Sequence, residues 1–185
     1  MRSMERMFRR AGLELAMSQG FHPKPRMTFP AALAVGIEGT DEVMELQLAQ
    51  PYTADQLRRM LAAQLPAGLS INSIEVLPEG VKKARVRGFT CQVPIPHRHL
   101  SRLPSRIEQL LEAPSWPLKR ARRAEPFDLR PSIENLSLDG DLLQMRLLVG
   151  ERGTAGPRDL LEALELPDIE QEGAVLRRTA VEVLP

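Results

Sequence analysis

Leu136-Ser137-Leu138-Asp139-Gly140-Asp141-Leu142 is the stretch whose reading decides the fold. An Asp-Gly pair between apolar residues is a strong short-range hairpin signal, because glycine takes the positive φ that a two-residue turn demands. The turn joins strands expected over residues 128–135 and 142–149. Upstream, residues 89–95 read as a strand, 101–111 as a helix and 117–123 as a further strand. Downstream, a helix is expected over 157–164, with Pro157 at its first position where the missing N–H costs nothing, and a strand over 175–183. Strand, helix, strands, helix, strand is the split βαβ order of a ferredoxin-like domain.

The first half follows a related order. Met4, Met7, Phe8 and Ala11 recur at helical spacing, and Gly12 is suited to close that helix in a left-handed cap. Residues 13–17 are short, apolar and extended in character. Residues 28–37 and 43–48 read as a hairpin around Glu38-Gly39-Thr40-Asp41, with Met44, Leu46 and Leu48 alternating against Glu45 and Gln47. Thr53 offers an N-cap for a helix carrying Leu57, Met60, Leu61 and Leu65, and residues 71–77 return as a strand. The expectation is an α+β chain of two tandem ferredoxin-like lobes, 1–79 with a basic loop and 80–185, divided near Pro78-Glu79-Gly80. The first lobe lacks an opening strand. Since that strand is central in a split βαβ sheet, the chain is expected to be truncated at its front, or a neighbouring strand to fill the gap.

Composition narrows the classes. The chain has 185 residues, 43% of them hydrophobic, enough for packed cores. No stretch approaches the roughly 20 apolar residues of a membrane span, so no membrane is expected, and no secretory signal opens the chain. A single cysteine, Cys91, agrees with a reducing, cytoplasmic setting. Lys and Arg number 25 against 24 Asp and Glu, so net charge of +1 announces no nucleic acid by itself. The distribution is more informative: bases gather at 2–26, 82–87 and 119–123, and acids at 38–45 and 162–172.

The candidate site is Ser18-Gln19-Gly20-Phe21-His22-Pro23-Lys24-Pro25-Arg26. Pro23 and Pro25 fix φ at alternate positions and bias His22 and Lys24 toward extended backbone, while Gly20 permits positive φ. Ser18, Gln19, His22, Lys24 and Arg26 together suit a phosphate or carboxylate, and Phe21 suits stacking on an RNA base. Phe21 anchoring the loop in the core, a structural Pro-rich crossover and catalysis are the alternatives. Arg6, Arg9 and Arg10 on the first helix belong to the same anion- or RNA-binding set; Arg6 and Arg10 are neighbours four residues apart, and Glu5 pairing with Arg9 is the bland explanation. Arg120, Arg122, Asp128 and Arg130 form a secondary polar set, or an ion-paired sheet edge. His97 and His99 would share one side of a strand, but Pro94 and Pro96 precede them and no second cysteine or carboxylate is near in sequence, so they are read as non-metal residues. Cys91 alternates with Phe89 and Val93 and reads as core. There is no phosphate-binding glycine loop and no trio of cysteines for an iron–sulfur cluster, so no cofactor is expected.

Three segments carry a family resemblance: Glu5-Arg6-Met7-Phe8-Arg9-Arg10-Ala11-Gly12-Leu13, the 18–26 loop, and Ala34-Val35-Gly36-Ile37-Glu38. They resemble the radical SAM-linked proteins, bacterial domains of unknown function fused to or encoded beside radical S-adenosylmethionine enzymes. Asp128-Leu129-Arg130-Pro131-Ser132-Ile133, residues 153–161 and Arg177-Arg178-Thr179 look like that family's C-terminal landmarks. Members usually open with a basic strand and a Ser-His-Leu-Asp-like stretch before the Arg-rich helix, which this chain departs from. The resemblance implies an accessory role in RNA modification, with RNA and a radical SAM enzyme as partners. The expected function is therefore a non-catalytic RNA-binding or accessory protein. Its rivals are an RNA-modifying or hydrolytic enzyme with part of its site in the missing N-terminal segment, and a protein–protein adaptor.

Overall fold

Thr53 opens its helix as the sequence dictates. Its hydroxyl accepts from Gln56 N at 3.2 Å while Gln56 Oε1 accepts from Thr53 N at 2.8 Å, a reciprocal capping box. The structure is a computed structural model and describes residues 2–119, 126–150 and 153–184. In chain order its elements are α1 (Arg2–Arg10), β1 (Met27–Thr28), β2 (Glu38–Gly39), β3 (Glu45–Leu46), α2 (Ala54–Ala62), β4 (Arg85–Pro94), α3 (His97–Leu100) and α4 (Leu103–Glu112). There follow β5 (Pro117–Leu118), β6 (Phe127–Asp128), a 3-10 turn (Arg130–Ser132), β7 (Ile133–Asp139), β8 (Leu142–Gly150), β9 (Gly153–Thr154), α5 (Pro157–Ala163) and β10 (Arg177–Leu184). The architecture is mixed α+β, with one large curled sheet and several small ones.

The chain divides into two compact units, one of residues 2–30 and 43–84, the other of Ala31–Glu42 and Arg85–Leu184. In the second, the sheet runs β2-β10-β4-β8-β7, with antiparallel neighbours except for β2, which lies parallel to β10. Alternation decides which face is buried. Cys91, Val93, Leu143, Met145 and Leu147 turn inward to a core shared with Leu110 of α4 and Leu160 of α5, whereas Thr90, Gln92, Gln144 and Arg146 take the opposite face. The hairpin forms where expected but shifted by one residue. Asp139 pairs with Leu142, so Gly140 and Asp141 make the loop, and Gly140 supplies φ +60° at its first position.

Several expectations need correction. The hairpin across 28–48 shrinks to the two-residue ladder β1–β3, because residues 31–42 leave the first unit and add β2 to the second. What holds them there is Arg178, 5% exposed, whose guanidinium reaches Glu42 through Nε at 2.7 Å and through Nη2, and donates to Ala31 O at 2.9 Å and Ala32 O at 3.1 Å. Arg177 Nε adds a contact to Glu38 at 2.8 Å, and Arg158 Nη2 donates to Val35 O at 3.0 Å. Residues 71–77 form no strand; Ile71 and Ile74, three apart, merely rest on the first core. Residues 97–100 are a helical turn rather than a strand, launched from Pro96 at φ −56°. The strand expected over 128–135 is interrupted by the 3-10 turn at Pro131, which lacks an N–H for a ladder. Within the described residues, the strand expected over 117–123 covers only β5.

The first unit has a smaller core, with Met7, Phe8, Leu13, Leu57 and Leu61 buried. α1 ends as expected: Gly12 has φ +69° and Leu13 N donates to Phe8 O at 3.0 Å, the paired bonds of a glycine-closed helix. Among the described residues no helix is long and apolar enough to cross a membrane.

Candidate functional site

The 18–26 loop stands on a base of three mutually hydrogen-bonded segments. Ala16 N donates to Gln47 O at 2.8 Å, Gln47 N to Arg26 O at 2.9 Å and Arg26 N to Ala16 O at 2.8 Å, closing a ring of backbone bonds. Leu15 bridges Leu48 and Met17 bridges Pro25. Above this, Ser18 straps the neck: its N donates to Lys24 O at 2.8 Å and its hydroxyl accepts from Lys24 N at 2.9 Å. The five residues left over, 19–23, form the tip, where Gly20 takes φ +139°, a conformation side chains rarely adopt. Phe21 is fully exposed there, and Gln19, His22 and Lys24 are exposed beside it. An anchoring role for Phe21 in the core is thereby excluded. Leaving a whole phenyl ring in water on a strapped loop forgoes burial on the order of 2 kcal/mol, so its position is informative.

The other members divide. Arg26 Nη1 donates to Gln47 Oε1 at 2.9 Å and so braces the base of the loop. Arg10 is tied to the end of α2 through Gln64, Nε to Oε1 at 3.1 Å and Nη2 to the carbonyl at 3.0 Å. Arg6 and Arg9 are exposed, and among the described residues Glu5 forms no ion pair with Arg9. Every ion pair between described residues lies in the second unit. By sequence, the first unit carries ten basic and six acidic side chains, +4, and the second 15 and 18, −3.

The outer face of the second sheet is differently furnished. Arg87 bridges Glu134 and Glu182 at 2.9 Å each, and Arg146 reaches the same two carboxylates, closing a neutral ring of four charges across β4, β8, β7 and β10. Register shifts at Glu134 and near Arg87 turn both residues onto that face. Its side chains are already mutually satisfied.

Of the secondary set, Arg120 and Arg122 lie outside the described residues. Asp128 Oδ1 accepts from Trp116 N at 2.7 Å and Arg130 N at 3.1 Å, and Arg130 donates to Leu111 O at 3.1 Å and Ile133 O at 3.2 Å, so both hold backbone. The Trp116 N–H above all holds the Asp128 carboxyl below its ordinary value of 3.8. A depressed folded value means stabilisation present above the unfolded pKa and lost as pH falls through the folded one. Asp128→Asn should therefore be less stable at pH 7 and lose less stability than the wild type between pH 5 and pH 3, as acid titrations followed by circular dichroism will read. Cys91 is fully buried, and burial pushes its thiol up to about 12, against the opposing charge of Arg178. Sequence reasoning did not find the Arg178 clamp; its inward parity with Leu176, the residue before β10, was the available signal.

Residues 1–157 match the model of a family described as an uncharacterized protein conserved in bacteria (DUF2344). No curated protein and no solved structure matches the chain.

Proposed function

Because the chain belongs to this bacterial DUF2344 family, we propose from its own geometry that it is a non-catalytic, cytoplasmic RNA-binding accessory protein whose 18–26 loop engages single-stranded RNA. The carrying observation is Phe21, fully exposed at the tip of a loop strapped by Ser18, with Lys24 beside it in a unit of charge +4. A lone aromatic on a fixed loop stacks on an unpaired base, which a duplex does not offer. Lys24 contacts phosphate, His22 adds a second polar edge, and Arg6 and Arg9 extend the cationic surface of the same unit. The non-catalytic reading draws on Ser18, whose hydroxyl accepts from Lys24 N and, among the described residues, donates to no histidine or carboxylate. A radical SAM enzyme as partner rests on the resemblance of the segments at 5–13, 18–26 and 34–38. The same reading takes the second unit as a ferredoxin-like lobe, which the order β10-β4-β8-β7 supports, and the first as its reduced tandem counterpart.

The test is fluorescence anisotropy of a single-stranded 12-nucleotide RNA with the wild-type chain, Phe21→Ala and Lys24→Ala. Losing one stacked base costs about 1–3 kcal/mol, so Phe21→Ala should bind about 5- to 100-fold more weakly. Lys24→Ala should lower the log–log salt slope by about 0.7. Unchanged affinity in Phe21→Ala together with an unchanged slope in Lys24→Ala overturns the assignment. Co-purification of a partner protein that survives nuclease treatment and needs Phe21 would turn the loop into a protein-docking element.

A further inference from the structure

A hollow of about 370 Å³ opens in the second unit where α3 gives way to α4, and three arginines spaced four apart, Arg98, Arg102 and Arg106, line it. They gather because helical rotation continues through the break: Arg102 N donates to His99 O and Arg106 N to Arg102 O, each at 3.3 Å. Facing them are Leu164, Glu165 and Leu166, just past the end of α5. Glu165 has φ +61°, the one positive value among described residues other than glycine. Glycine belongs at that position, since Leu166 N donates to Leu161 O and Glu165 N to Glu162 O in the paired bonds of a glycine-type cap. A strained glutamate there is informative, and its carboxylate holds Arg106 Nη2 at 2.6 Å.

Arg98 is held in turn by Glu172, whose other oxygen lies 3.5 Å from His99 Nε2, a buried nitrogen without a hydrogen-bond partner. Arg102 has no acidic partner among the described residues. Three guanidinium charges thus face two carboxylates, a positive spot in a unit whose total is −3. Each guanidinium has five N–H donors, and Glu165 and Glu172 each engage one nitrogen, so donors remain on all three arginines. Leu164 and Leu166, both buried in the core, close the far side of the hollow, and its size is at the lower end of small-ligand sites.

We propose that this hollow binds a small organic phosphate monoester, with the phosphate on Arg102 and the free donors of Arg98 and Arg106, and the organic part in the rest of its volume. The forked donors of arginine match phosphate geometry, and a hollow several times larger than the bare ion favours an ester over it. The inference is independent of the 18–26 loop.

Isothermal titration of the full chain with AMP, ribose 5-phosphate and inorganic phosphate tests it. Both esters should bind more tightly than inorganic phosphate, and adenosine should not bind. Arg102→Ala should weaken ester binding about tenfold or more, since a hydrogen bond to a charged group is lost, while leaving the melting temperature in place. Phe21→Ala should not change ester binding, which separates this site from the RNA reading. Equal affinity of wild type and Arg102→Ala for both esters, inorganic phosphate binding as tightly as the esters, or no binding of either ester overturns the proposal.

Discussion

Arg178→Ala should cost about 3–5 kcal/mol of stability, because it removes one partner of a desolvated ion pair and leaves the other without compensation. Arg178 is 5% exposed, and four of its five donors serve both oxygens of Glu42 and the carbonyls of Ala31 and Ala32, while its guanidinium carbon sits 5.7 Å from the Phe89 ring centroid. The variant strands all of these and frees the segment that carries β2. Chemical denaturation measures the loss, and Cys91 reports it locally. That thiol is fully buried and packed near Arg178, so it resists a thiol reagent in the wild type and should be modified in the variant. Glu42→Gln keeps hydrogen bonding and should cost less. Replacing both partners, Arg178→Met with Glu42→Leu, should recover much of the single-variant loss, since the unpaired charge is the penalty. Gly39 belongs to the same arrangement. A Cβ there would stand 2.6 Å from the Glu42 side chain, so Gly39→Ala should destabilise in the same direction. An Arg178→Ala chain within about 1 kcal/mol of wild type, with its thiol still protected, would refute this account.

The clamp also marks where sequence reading reached its limit. Signals confined to a few residues were legible: Thr53 as an N-cap, Gly12 after α1, the glycine at 140, and the strands β4, β8 and β10. Residues 31–42 were read as half of a local hairpin because alternation and a turn-like Glu38-Gly39-Thr40-Asp41 stood next to each other. Their true partner is 136 positions away in Arg178, and no local pattern encodes it. The same displacement explains the charge pattern. Glu38, Asp41 and Glu42 lie between strands of the first unit in sequence but belong to the second, which leaves the first at +4. Of the candidate site, the loop and its constraint by proline and glycine were legible. The diversion of Arg10 and Arg26 to glutamines was not, since it depends on contacts 54 and 21 positions away, and the outward ring of Phe21 and the Ser18 strap follow from how the loop closes on itself, which residue type alone does not specify.

Phe8→Ala should cost the first unit about 3–5 kcal/mol, as large-to-small changes at packed aromatic sites do. Phe8 is 1% exposed among five buried residues, and a core that small has few neighbours able to close over the cavity. Domains hold only about 5–15 kcal/mol in reserve, so much of this unit's margin goes with one ring. RNA affinity should fall with it, because the strands beneath the loop rest on the same core through Leu13, Leu15, Met27 and Leu48. That loss should track the folded fraction and return on cooling toward the temperature of maximum stability. Phe21→Ala supplies the contrast. A ring that touches only solvent contributes little to the fold, so its removal should change stability by no more than about 0.5 kcal/mol at any temperature. Two phenylalanines 13 positions apart thus separate presentation from contact. If binding is weakened by Phe8→Ala in proportion to unfolding and by Phe21→Ala without any unfolding, the fold's role is to hold the loop and the loop's role is to touch RNA. If Phe21→Ala weakens binding only to the extent that it melts the unit, the exposed ring is part of the scaffold and the RNA reading fails.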